Sequence, residues 1–107
     1  MIRTDVGITA EALLPQIEAA WGLSASKIDL LTRNRSAADG SPVFTVRGQY
    51  TSKGWTEWTQ GFEFGSALLQ FDATNERRFL DVGRSKTRAV MASHITHMGV
   101  HDHGFNN

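Results

Sequence analysis

The chain contains no cysteine, only two prolines and a single tyrosine, and its charges cancel. Without cysteine there is no disulfide framework and no Cys-based zinc site, and the redox compartment is left open. Eleven basic residues stand against eleven acidic ones. A protein that grips nucleic acid or an anionic membrane surface carries a basic excess, so both partners are disfavoured. No apolar stretch approaches the roughly 20 residues of a membrane span. The opening Met1-Ile2-Arg3-Thr4-Asp5 lacks the apolar run of a secretory leader, which points to the cytoplasm.

What is present suits a folded domain. Hydrophobic residues make up 40% and charged residues 21% of 107 positions, enough for one small domain and too few for two. Residues 9–21 predict a helix, with Thr9 as N-cap and Leu13, Leu14, Ile17, Ala20 and Trp21 on one stripe. Pro15 belongs in a first turn, so the start can shift toward Leu14, and Gly22 is expected to end the helix. A polar loop spans 33–42. Residues 43–50 form the one strand-like run, interrupted by Gly48, and 51–54 read as a turn.

The second half is helical. Over 57–73, Trp58, Gly61, Phe62, Phe64, Gly65, Leu68, Leu69 and Phe71 cover about half the helix circumference. Thr59, Glu63, Ser66 and Gln70 collapse into a narrow polar stripe. Such a wide apolar face predicts a helix packed on two sides, with Gly61 and Gly65 admitting a close neighbour. After a break at Asn75, residues 76–93 predict an amphipathic surface helix. Phe79, Val82, Gly83, Thr87 and Val90 lie on its inner face, and Asp81, Arg84, Ser85 and Arg88 on its outer face. Lys86 falls on the apolar side. A buried helix followed by an exposed amphipathic one is what a two-layer helical barrel requires. The expected class is therefore mainly α, a partial helical barrel with a short β segment near 43–50.

Four patterns bear on chemistry. His101-Asp102-His103-Gly104-Phe105 sets a carboxylate between two imidazoles, which suits a general acid or base, or equally a solvated polar loop. All four histidines, His94, His97, His101 and His103, fall within ten residues. With Asp102 they could surround a metal, although Met98-Gly99 breaks the i, i+4 helical spacing of known zinc motifs. Trp55 and Trp58 at a helix entry could form a wall for a sugar ring, with Thr59 or Gln60 donating hydrogen bonds, while Trp58 alone reads more simply as core. The glycine spacings lack the Lys-Ser/Thr of a phosphate loop, which excludes one.

Taken in order, Trp58-Thr59-Gln60-Gly61-Phe62-x2-Gly65, then Asp72-Ala73-Thr74-Asn75-Glu76-Arg77-x-Phe79-Leu80, then His101-Asp102-His103-Gly104-Phe105, the chain resembles the unsaturated glucuronyl hydrolases. These form glycoside hydrolase family 88, to which the unsaturated rhamnogalacturonyl hydrolases of family 105 are related. The resemblance covers residues 55–105. It implies an (α/α)6 barrel that removes an unsaturated uronic acid from oligosaccharides left by polysaccharide lyases. The reaction hydrates a vinyl ether rather than using the two-carboxylate displacement of most glycosidases. No metal or organic cofactor is implied, and the partner is the oligosaccharide substrate. Carried over by motif, Asp102 matches one of two essential acids, His101 a histidine beside the substrate, and Trp58 a pocket aromatic. Asn75 stands where the family has a turn glycine, and His103 where an apolar residue is commoner. The second acid is expected beyond Asn107, so residues 1–107 read as the N-terminal fragment of a single catalytic domain, inactive alone. The alternative is a small His-rich metal-binding or carbohydrate-binding module without catalysis.

Overall fold

A computed structural model describes residues 7–54, 57–98 and 105. The chain is mainly helical, with one two-stranded antiparallel sheet. Its order is α1 (Ala10–Asn34), a 3-10 turn (Ala37–Asp39), β1 (Ser41–Val46), β2 (Gln49–Lys53), α2 (Gln60–Thr74), α3 (Arg77–Val90) and α4 (Ala92–Thr96). No helix among the described residues is long and apolar enough to cross a membrane.

Helix α1 starts where the sequence places it. The Thr9 hydroxyl accepts the Ala12 N–H at 3.2 Å. Its end differs from expectation: the helix runs through Pro15 and Gly22 to Asn34, 25 residues in all. Pro15 forfeits the hydrogen bond to the Glu11 carbonyl, but Glu11 is exposed and its carbonyl is open to water. Gly22 survives within the helix because the residues beyond it carry an apolar face of their own. Ala25 and Ile28 from that stretch join the core with Ala67, Phe71, Phe79 and Val82. The earlier stripe is not buried: Leu13, Leu14 and Ile17 are all exposed. A Cβ at Gly22 would meet nothing within 4 Å. Gly22→Ala therefore gains helix propensity without a clash and is expected to stabilise the chain by about 0.5–1 kcal/mol. A rise in the urea midpoint at constant slope would show it, and a fall would mean α1 bends at Gly22 in solution.

The expected strand over 43–50 is in fact a hairpin that takes in residues 51–53 as well. Val46 pairs with Gln49, and Ser41 with Lys53. Between the strands Arg47 and Gly48 both have positive φ, 50° and 76°. That is the signature of a two-residue type I′ loop, whose twist matches the strands it joins. Arginine is an unusual first residue for this turn, so the sequence pattern does not reveal it.

Helices α2 and α3 fold as a hairpin about Asn75. Asn75 takes the left-handed conformation, φ 58° and ψ 20°, and its N–H bonds the Phe71 carbonyl at 2.7 Å. The close approach of the two helices comes from Gly83 on α3, not from Gly65 on α2. A Cβ at Gly83 would lie 2.6 Å from Leu68 Cδ2 and 3.2 Å from the Phe64 carbonyl oxygen, whereas one at Gly65 would meet nothing within 4 Å.

The polar stripe of α2 does not face solvent as its periodicity suggests. Gln60 and Gln70 are buried, and Thr59, Glu63 and Ser66 are half-buried. Each has a reason. Gln70 Nε2 donates to the Trp21 carbonyl at 3.2 Å and ties α2 to α1. Glu63 meets Lys86 Nζ at 3.7 Å, and that ammonium also lies 5.8 Å from the Phe64 ring centroid. This accounts for a lysine on the inner face of α3. Burial raises the Glu63 carboxyl above its ordinary range, against the pull of Lys86 and Arg35. At the other end of α1, Arg78 clamps both carboxylate oxygens of Asp29 and bonds Glu76 at 2.9 Å.

Candidate functional site

With its polar stripe turned inward, α2 shows apolar residues to the outside. Trp58, Phe62 and Leu69 lie at i, i+4 and i+11 and are 45%, 55% and 61% exposed. Packing on two sides is thus realised on one side only among the described residues. Trp58 is not core here, because the core of α2 is filled by Phe64 and Ala67 on the opposite face.

Phe105 closes this exposed face into a cluster. Its ring centroid is 6.1 Å from that of Trp58, at an interplanar angle of 64°, and 6.1 Å from Phe62, nearly parallel at 29°. Trp58 and Phe62 meet edge-to-face at 5.7 Å and 87°. These separations are normal for aromatic pairs. The three rings join the Trp58 motif to the motif that ends in Phe105. Phe62 and Phe105 are the residues that motif reading missed as wall-forming, though the i, i+4 spacing of Trp58 and Phe62 was there to be read.

Beneath the cluster, Gln60 and His94 form a buried polar pair, each 2% exposed. His94 Nε2 lies 3.1 Å from Gln60 Oε1. An amide oxygen only accepts, so Nε2 carries the proton. Gln60 is thus bonded to His94 inside the fold, where the sequence offers it as a hydrogen-bond donor to a sugar. His94 is buried at this bond, and His101 and His103 lie outside the described residues. The break at Met91, whose N–H still bonds the Thr87 carbonyl at 3.0 Å, starts the turn that delivers His94 to this position. Thr59 Oγ1 is buried with no hydrogen-bond partner among the described residues.

His101, Asp102 and His103 lie outside the described residues, as does Trp55. Among the described residues no group of three or more His, Cys, Asp or Glu side chains converges as a metal site. The arrangement therefore offers an aromatic platform anchored on α2, with a buried Gln60–His94 hydrogen bond fixing the start of that helix. Compared with protein-family models, with curated proteins and with solved structures, the chain finds no match.

Proposed function

We propose that this chain belongs to a glycoside hydrolase that releases an unsaturated uronic acid from lyase-generated oligosaccharides, and that its aromatic cluster forms part of the sugar pocket. The observation that carries the reading is the contact of Phe105 with Trp58 and Phe62. It draws the end of the His-Asp-His-Gly-Phe segment to the tryptophan that the family resemblance assigns to the pocket. The exposed rings offer the flat apolar faces on which a pyranose stacks. In the same reading α2 and α3 are an inner and an outer helix of an (α/α)6 barrel, and further helices would cover Phe62 and Leu69.

Hydration of a vinyl ether needs a proton for one alkene carbon and a water oxygen for the other. The hydrated carbon is a hemiketal, whose collapse opens the ring and lets the glycosidic bond break. Asp102 is proposed as one acid of that exchange, with His101 setting its orientation. The aromatic wall would hold the ring and keep bulk water from the alkene.

The test uses an unsaturated glucuronyl disaccharide. Its addition should change the tryptophan fluorescence of the chain, and Trp58→Ala should remove that response. In an active protein that contains this chain, Asp102→Asn should slow the loss of the conjugated alkene's ultraviolet absorbance by about 10²–10⁴-fold. Unchanged fluorescence at millimolar disaccharide, together with full activity of Asp102→Asn, would overturn the reading.

A further inference from the structure

A cavity of about 490 Å³ lies away from the aromatic cluster, between the C-terminal half of α1 and the β-hairpin. That is within the range of small-molecule sites. Its helical side presents Lys27, Leu31 and Asn34, spaced i, i+4 and i+7 on one face of α1. Leu30 and Arg35 complete that wall. Across from them the hairpin supplies Gln49 and the half-exposed ring of Tyr50, the chain's only tyrosine.

Three properties define what would fit. First, the charged residues on the wall, Lys27 and Arg35, are both cationic, and no Asp or Glu lines the groove among the described residues. Neither cation makes an ion pair there: the described salt bridges involve Arg77, Arg78 and Lys86. Second, the Arg35 guanidinium is pre-positioned. It donates to the Gly40 carbonyl at 3.0 Å and reaches Ser52 Oγ at 3.4 Å, which fixes its place, and it shares its charge with the nearby Asp39 and Glu63 carboxylates, leaving Lys27 as the freer cation of the wall. Third, amide and hydroxyl groups of Asn34, Gln49, Thr45 and Tyr50 share the lining with the Tyr50 ring and two leucines. Lys27 lies two turns before the end of α1 and Arg35 just past it, so the two cations project from backbone positions roughly 12 Å apart. A chain of sugars with repeated acidic groups spans such a wall, while its hydroxyls meet the amides and one ring face meets Tyr50.

We propose that this groove is a second saccharide site, which holds an acidic oligosaccharide through Lys27 and Arg35 with one sugar ring stacked on Tyr50. It is separate from the aromatic cluster on α2 and does not depend on the hydrolase reading. Its role is to bind a stretch of acidic sugar chain without reacting with it.

The probe is a saturated tetrasaccharide of alternating glucuronate and N-acetylglucosamine, added to the ¹⁵N-labelled chain while amide shifts are followed. A neutral N-acetylglucosamine tetrasaccharide and inorganic sulfate serve as comparisons. The acidic tetrasaccharide is expected to shift amides of 27–35 and 45–50 in a saturable way, more weakly at high salt. Lys27→Gln should weaken binding about fivefold, and Tyr50→Ala up to about tenfold. Both side chains are exposed, so neither change threatens the fold. Trp58→Ala should leave this binding unchanged, whereas it removes the response to the unsaturated disaccharide. Absence of groove shifts would overturn the proposal. So would equal binding of the neutral chain, equal saturation by sulfate alone, or shifts centred on Trp58 and Phe62.

Discussion

Phe79→Ala should destabilise the chain by about 3–5 kcal/mol, the usual cost of emptying a large buried aromatic site. Phe79 is 1% exposed and meets Ile28 and Ala67 at the point where α1, α2 and α3 join. The Arg78 guanidinium caps its ring at 4.0 Å from the centroid while gripping Asp29 on α1. Loss of the ring thus removes buried apolar area and also the surface that steadies this clamp. Small domains hold only about 5–15 kcal/mol in total, so the variant should lose a large share of its stability. Far-ultraviolet circular dichroism in a urea series would measure it. Phe79→Leu should lose far less, because most of the volume is kept. Phe62→Ala should change stability by under about 0.5 kcal/mol, since that ring is exposed. Equal losses for Phe79→Ala and Phe62→Ala would show that the core lies elsewhere.

Gly40→Ala is the second large effect, and it should be local. Gly40 has φ 70° and ψ −160°, a region essentially reserved for glycine. A Cβ there would stand 2.1 Å from the Lys53 carbonyl oxygen, a backbone atom of the opposite strand that cannot turn aside. The conformation alone costs a side-chain-bearing residue about 1–3 kcal/mol, and the clash adds to it. The base of the hairpin, where Ser41 pairs with Lys53, is expected to open, and with it the anchor that Gly40 gives Arg35. Amide exchange should accelerate across β1 and β2 while α2 and α3 keep their protection. Gly48→Ala is the contrast, because that position also has positive φ but nothing within 4 Å of a Cβ. It should cost only the roughly 1–2 kcal/mol of a left-handed alanine. If Gly40→Ala were no worse than Gly48→Ala, the close approach to Lys53 would be wrong.

Features governed by neighbours in sequence were legible in the sequence. The Thr9 cap is a contact over three residues. The Asn75 turn depends on one residue's tolerance of left-handed geometry. The amphipathic face of α3 is a matter of period, with Phe79 and Gly83 buried and Asp81, Arg84, Ser85 and Arg88 exposed. The strand-like run is legible, but its turn is not, because Arg47 does not carry the usual chemistry of a type I′ loop. Gly22 looks like a stop for a related reason. Its local cost is real, and it is outweighed by Ala25 and Ile28 packing on residues some forty or more positions away.

A mainly helical chain, a capped first helix, a left-handed turn at Asn75, an amphipathic α3 and three ordered motifs are all written in local sequence. Those follow from period, propensity and single-residue conformation, which act over a few residues. Which face of α2 points inward depends on long-range partners. Periodicity locates stripes on a helix but does not say what stands opposite them. Gln70 is buried because the Trp21 carbonyl faces it, Glu63 because Lys86 reaches it, and Gln60 because His94 lies beneath the helix entry. With those partners in place, Trp58 and Phe62 are left on the outer face to meet Phe105, more than forty residues further along the chain.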